Sequence, residues 1–181
     1  MKKQVLFIQG GGDDGYKADA NLVTSLQKML GSNYKLNYPR LQTDNTVTDF
    51  GWPKQIGQEI GKLRDKGILV AHSLGASLLL KYLTENVIVK KIAGIFLLST
   101  PFWSGDEEWK QGLKLRQNFE KAFPKDSRIF FYQCRDDEEV PFDHFAIYQD
   151  KLPRASFREI ERGGHQLGDS LALVADDIKG L

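Results

Sequence analysis

The run Ile68-Leu69-Val70-Ala71-His72-Ser73-Leu74-Gly75 is where this chain could do chemistry. An apolar strand pattern stops at a serine flanked by small residues, and a helical pattern begins at once. A serine held clear of a strand-to-helix turn is forced into strained φ/ψ, and the turn closes only if the residues two before and two after carry almost no side chain. Ala71 and Gly75 meet that demand. At average composition such a pattern arises by chance in roughly one chain of this length in eight, so its flanks must carry the argument. Leu78, Leu79, Leu80, Tyr82 and Leu83 extend it as a helix whose positive end lies beside Ser73.

A serine hydroxyl is a poor nucleophile at neutral pH and needs a base, which in turn needs an orienting acceptor. The chain has 3 histidines. His72 adjoins the serine, and on a sharp turn its side chain points elsewhere, as a packing residue. His144 opens a helical pattern and reads as a surface or capping group. His165, in Arg162-Gly163-Gly164-His165-Gln166, follows the last strand pattern on a glycine loop free to reach across a sheet. The acid should follow another strand, and Arg135-Asp136-Asp137-Glu138-Glu139-Val140-Pro141 does so. Asp137 is the choice, with Asp136 the alternative, and the remaining carboxylates read as a solvated turn. Donors for a developing oxyanion would be the N–H of Leu74 at the helix start and that of Gly11 in Gly10-Gly11-Gly12.

Six short apolar runs alternate with helical patterns, the signature of a parallel sheet covered on both faces. Strands are expected at Gln4 to Gln9, Tyr34 to Tyr38, Gly67 to His72, Ile92 to Ser99, Arg128 to Cys134 and Ser156 to Ile160. Helices are expected at Ala18 to Leu30, Lys54 to Lys66, Ala76 to Asn86, Glu107 to Ala122, Phe142 to Leu152 and Leu171 to Lys179. Phe102, Trp103, Trp109 and Phe142 cluster after the fourth and fifth strands. They fit either a pocket wall or small lid over Ser73, or aromatics that only pack on the domain.

The 181 residues suit one domain, 1–181, with a core that needs no metal or disulfide. Twenty-five basic against 24 acidic residues leave a net charge of +1, which argues for neither a nucleic acid nor a membrane-surface partner. The single cysteine, Cys134, reads as a buried thiol at a strand end. The N-terminal apolar run is too short for a signal peptide, and the expectation is a cytoplasmic protein. No histidine pair or cysteine cluster has ligand spacing, so no metal or cofactor is implied.

Together, Ala71-His72-Ser73-Leu74-Gly75, Asp137 ahead of Val140-Pro141, Gly164-His165 and Gln9-Gly10-Gly11 make the chain resemble the α/β-hydrolase superfamily, in particular its small serine hydrolases without a large cap. The resemblance implies a three-layer α/β/α fold with a six-stranded, mostly parallel sheet in the order 2-1-3-4-5-6, because the chain begins directly on the oxyanion-loop strand. It implies Ser73 as nucleophile, His165 as general base and then acid, Asp137 as its orienter, and Leu74 with Gly11 as the oxyanion hole. The reaction would be hydrolysis of a small ester, thioester or amide. Two departures are Ala71 in place of the elbow's usual first glycine, and Gln9 in place of a frequent histidine.

Two other readings compete. Gly10-x-Gly12-x-x-Gly15 fits a dinucleotide-binding fingerprint, but Asp13 and Asp14 would oppose a pyrophosphate and Tyr38-Pro39-Arg40 offers no acid to a ribose. A phosphate-binding loop fails because Tyr16-Lys17 follows Gly15. A hydrolase fold used as a binding or scaffold module, without catalysis, is the remaining alternative.

Overall fold

The computed structural model of the chain describes residues 1–12, 14–124 and 126–181, and of Trp109 the backbone alone. Six strands, β1 (Lys3–Ile8), β2 (Tyr34–Asn37), β3 (Gly67–His72), β4 (Ile92–Leu98), β5 (Arg128–Cys134) and β6 (Ser156–Ile160), form one sheet in the order β2-β1-β3-β4-β5-β6. Every neighbouring pair is parallel. The expected strands all form, shifted by at most a residue at their ends, and the expected order is observed.

Six helices cover the sheet: α1 (Gly15–Ala18), α2 (Ala20–Leu30), α3 (Trp52–Lys62), α4 (Ser73–Glu85), α5 (Asp143–Lys151) and α6 (Ala172–Lys179). Side chains alternate across a strand, so the sheet builds two cores. Leu6, Ile8, Leu69, Ala71, Ile95 and Leu97 face α3, α4 and α5. Val5, Phe7, Ile68, Val70, Phe96 and Leu98 face α2 and α6. On α2 the leucines 22, 26 and 30 recur every four residues, one helical stripe against that second core. β3 is buried along its whole length, as a central parallel strand must be.

Helical expectations are corrected at several points, and α3 ends at Lys62, not Lys66, while α4 begins at Ser73, not Ala76. The first helix begins at Ala20, not Ala18, and is preceded by the single turn α1; the Asp19 carboxylate between them turns inward and accepts the N–H of Gly10 at 2.7 Å. From Glu107 to Ala122 only two short 3₁₀ turns form, at Glu108–Lys110 and Phe119–Lys121. Gly112 is pressed so near Thr48 that a Cβ there would lie 2.3 Å from the Thr48 carbonyl oxygen, and Asn118 takes a left-handed φ of 61°. Leu113 and Leu115, two apart and both buried, could not share one face of a helix.

At the far edge, α6 is held to the sheet by Asp177, which accepts from Tyr132 Oη at 2.7 Å and from Arg158 at 3.0 and 2.8 Å. That anchor fixes one end of the loop between β6 and α6, where His165 lies. Among the described residues no helix is long and apolar enough to cross a membrane.

Candidate active site

β3 passes into α4 with no connecting residue, and the reversal falls on Ser73, whose φ is +51°. A non-glycine residue in that region carries strain and persists only where its surroundings fix it. Gly75 shows what fixes it: a Cβ there would sit 2.0 Å from the Gln9 carbonyl oxygen, so the first turn of α4 rests directly on the end of β1. Gly11 is packed against α4 too, less tightly: a Cβ there would lie 2.8 Å from Leu74 Cδ2. The glycine loop after β1 and the start of α4 are therefore one surface. The first N–H groups of a helix have no partner within it, which leaves that of Leu74 free beside Ser73. Among the described residues the Gly11 N–H meets no acceptor either.

The loop after β6 carries Gly164, at φ +61°, and then His165, whose Nδ1 lies 3.0 and 3.1 Å from the two carboxylate oxygens of Asp137. The Asp137 side chain is fully buried. It also accepts from Gln133 Nε2 at 2.9 Å and from the backbone N–H groups of Glu139 and Val140 at 3.0 and 2.9 Å. Burial alone would push its carboxyl group up. The bonds from His165, Val140 and Glu139 outweigh it and hold the group below the usual carboxylate range, hence ionised at neutral pH. No hydrogen bond joins Ser73 Oγ to His165 among the described residues, a bond that commonly tightens only once substrate is bound.

The neighbouring carboxylates do more than solvate a turn. Asp136 Oδ1 accepts the N–H groups of Gly163 and Gly164 at 2.9 and 2.8 Å, and Glu138 Oε2 accepts that of His165 at 3.1 Å. The acidic loop after β5 thus holds both the ring and the backbone of the histidine loop. Sequence reasoning missed this division of labour, and it missed Gln133 and Asp19. Cys134 is buried as expected, its thiol pushed up to about 11 by burial and the nearby carboxylates, which leaves it unreactive.

A cavity of about 370 Å³ opens beside Leu74. Gln9, Gly12, Tyr16, Arg40, Gln42, Thr43 and Asn45 make much of its wall polar, and Leu41, Phe50 and Trp52 line the rest. Tyr16 is locked in place by stacking on Tyr38 at 4.3 Å. Phe102 and Trp103 line a different depression, of about 630 Å³. There Phe102 packs edge-on against Tyr148 and its N–H donates to His144 Nδ1 at 3.1 Å, while Trp103 Nε1 donates to Ser77 at 2.9 Å. Phe142 packs on Phe145 and under Arg135. The Trp109 side chain lies outside the described residues. No cluster of metal-ligating side chains is found among the described residues.

The sequence matches the model of the family described as serine hydrolase over residues 23–170. The chain belongs to that family. Among curated proteins, YdeN of Bacillus subtilis (strain 168) is 29% identical over 123 residues, a match spanning 63% of each chain. The crystal structure of the same organism's ydeN product superposes with a TM-score of 0.68 at 20% identity, covering 99% of this chain and 98% of that one. The serine hydrolase CarC, involved in carbazole degradation, gives a TM-score of 0.73 at 12% identity over 98% and 90% of the two chains. The thioesterase domain of the curacin biosynthetic pathway gives 0.73 at 16% identity over 98% and 91%. These structural likenesses establish the α/β-hydrolase fold, and the family match places the chain among the serine hydrolases.

Proposed function

We propose that this serine hydrolase cleaves a small ester, thioester or amide through an acyl-enzyme on Ser73. The observation that supports it most is the pairing of His165 Nδ1 with the buried, ionised Asp137 at 3.0 Å, on loops that follow β5 and β6 at the same sheet end as Ser73. Asp137 accepts the Nδ1–H, which leaves the Nε2 lone pair free to take a proton.

In the proposed reaction Ser73 Oγ attacks the carbonyl carbon while its proton passes to His165 Nε2. The N–H groups of Leu74 and Gly11 stabilise the oxyanion, where losing one such donor costs about 3 kcal/mol. The imidazolium, balanced by Asp137, protonates the leaving alcohol, thiol or amine as the bond to it breaks. Water then adds to the acyl-enzyme, giving its proton to His165, and the carboxylic acid leaves as Ser73 regains its own.

The cavity against Leu74 points to the substrate. About 370 Å³ with a polar wall suits a small, functionalised acyl group better than a long alkyl chain. Arg40, without an ion-pair partner among the described residues, would favour an anionic tail on that group.

Labelling with a fluorophosphonate probe tests the reading. Folded wild-type protein should be labelled and Ser73→Ala should not. Absence of labelling, or equal labelling of the variant, would overturn it, and the scaffold alternative would take its place.

A further inference from the structure

A second histidine–carboxylate pair lies behind the first, and the reaction as written does not use it. His72 and Asp19 are each only 1% exposed. His72 Nδ1 approaches Asp19 Oδ1 to 2.8 Å, off the line of a good hydrogen bond, and neither atom has another partner among the described residues. The other end of each side chain is committed. Asp19 Oδ2 accepts the N–H of Gly10 at 2.7 Å, and His72 Nε2 lies 3.0 Å from the carbonyl oxygen of His165. A carbonyl oxygen only accepts, so Nε2 carries a hydrogen. Ser99 Oγ donates to the same carbonyl at 3.1 Å.

From these contacts we infer that Asp19 and His72 are positioning residues that set the oxyanion loop and the histidine loop relative to each other. The inference rests on the proposed roles of Gly11 and His165. The chain of contacts runs from the loop after β1, through the start of α2 and the end of β3, to the loop after β6. It touches the residue before Gly11, the residue before Ser73 and the backbone of His165 itself. Gly10 lies in the middle: a Cβ there would be 3.0 Å from His72 Nδ1 and 3.5 Å from Ser73 Cβ. The rings of His72 and His165 are 4.7 Å apart, so the pair also forms the wall against which the base sits. Burying an aspartate and a histidine is costly unless their polar atoms are used. Here they bond two loops that approach from opposite sides of Ser73.

This role makes asparagine and leucine differ sharply at position 19. In Asp19→Asn the amide oxygen accepts from Gly10 and the NH2 donates to His72 Nδ1, so every contact survives without charge. In Asp19→Leu, which keeps the branched shape in a larger side chain, both contacts are lost.

The experiment measures kcat and KM on p-nitrophenyl acetate, with backbone hydrogen exchange on the same proteins. Asp19→Leu should lose on the order of 100-fold in kcat, as expected for a displaced catalytic group, with KM changed by less than about threefold. Asp19→Asn should stay within about threefold of wild type in both. Exchange should rise in residues 9–12 and 163–167 of the leucine variant and stay unchanged in β4 and α4. Wild-type kcat in Asp19→Leu, a loss in Asp19→Asn as large as in Asp19→Leu, or exchange rising uniformly across the sheet would each overturn the inference. If wild type proves inert to ester and probe, the proposed function fails, and the exchange pattern alone decides whether the pair sets the two loops.

Discussion

Replacing Asp137 by asparagine removes a charge and almost no volume, yet it should stop the reaction. Oδ1 of Asp137 takes the N–H groups of Glu139 and Val140 at 3.0 and 2.9 Å, so the asparagine carbonyl must remain there. Its NH2 then falls at the Oδ2 position, 2.9 Å from Gln133 Nε2 and 3.1 Å from His165 Nδ1. Oδ1, itself 3.0 Å from Nδ1, already has both carbonyl lone pairs taken by those N–H groups, so the NH2 is the partner left to Nδ1, and a donor there obliges that nitrogen to accept, which moves the ring hydrogen to Nε2. In the proposed reaction Nε2 takes the serine proton, so the histidine would be held in the tautomer that cannot act as a base. In a serine protease this reversal lowers kcat by about 10⁴, which corresponds to about 5.5 kcal/mol of transition-state stabilisation. A second conflict appears at Gln133, whose Nε2 also donates to the Val140 carbonyl at 3.0 Å and cannot turn away without losing that bond. One buried donor left facing another costs about 1–3 kcal/mol. At about 2–4 °C per kcal/mol for a chain of this size, Tm should fall by about 2–12 °C. Steady-state hydrolysis of p-nitrophenyl acetate and a calorimetric melt of Asp137→Asn measure both effects. A folded variant whose kcat lies within about tenfold of wild type would refute the tautomer argument, since tenfold is only about 1.4 kcal/mol.

The ionisation of Asp137 also gives stability a pH dependence. Its folded-state carboxyl is held below the usual range, so its contribution is complete above the unfolded value of about 3.9 and is lost as pH falls through the lower folded value. The Tm difference between wild type and Asp137→Asn should therefore be constant from about pH 7 to 5 and narrow below about pH 4; a gap that widens on acidification would contradict the assignment. Asp136→Ala frees the N–H groups of Gly163 and Gly164 to water at the surface, so stability should drop by only about 1 kcal/mol. Activity should fall several-fold more than that loss explains, because the loop carrying His165 loosens; unchanged kcat would show that Glu138 holds the loop alone. Arg40→Gln should lower kcat/KM for mono-p-nitrophenyl glutarate several-fold while leaving p-nitrophenyl butyrate unchanged. Equal effects on the two esters would remove Arg40 from substrate selection.

The sheet was legible because parallel strands buried on both faces must be continuous apolar runs. Val5-Leu6-Phe7-Ile8, Ile68-Leu69-Val70-Ala71 and Ile129-Phe130-Phe131-Tyr132 all have that form. The elbow was legible for a steric reason that the structure makes quantitative: any side chain at Gly75 would enter the Gln9 carbonyl. The stretch 107–122 was not legible, because its helix-favouring residues are overruled by contacts distant in sequence. Gly112 meets Thr48 on the loop before α3, and Leu113 with Leu115 fills the core beside α4 from an irregular backbone. The aromatics after β4 depend on long-range contacts in the same way. Phe102 and Trp103 satisfy their polar and apolar groups on His144, Tyr148 and Ser77, whereas the polar side chains beside Leu74 come from the long connection between β2 and α3, which carries no motif.

The four carboxylates after β5 show why site residues are harder to assign from sequence than the site itself. Residues 136 to 139 share one charge type and differ by single positions, yet their surroundings separate them. Asp137 turns inward onto His165, Asp136 and Glu138 take backbone N–H groups of the facing loop, and Glu139 contributes its own N–H. Which carboxylate meets the ring depends on the turn that follows Cys134, where Asp137 N–H bonds back to the Cys134 carbonyl. Asp19 presents the same problem in another form. Helical periodicity runs through it without a break, and its inward turn becomes visible only when the Gly10 N–H is placed 2.7 Å away. A helix-terminal aspartate normally caps its own helix, but Asp19 makes no such bond to α2. A carboxylate that forgoes its local cap and sits 1% exposed against the residue preceding Ser73 must be held by longer-range bonds, and those it makes reach the glycine loop after β1 and the strand-to-helix elbow.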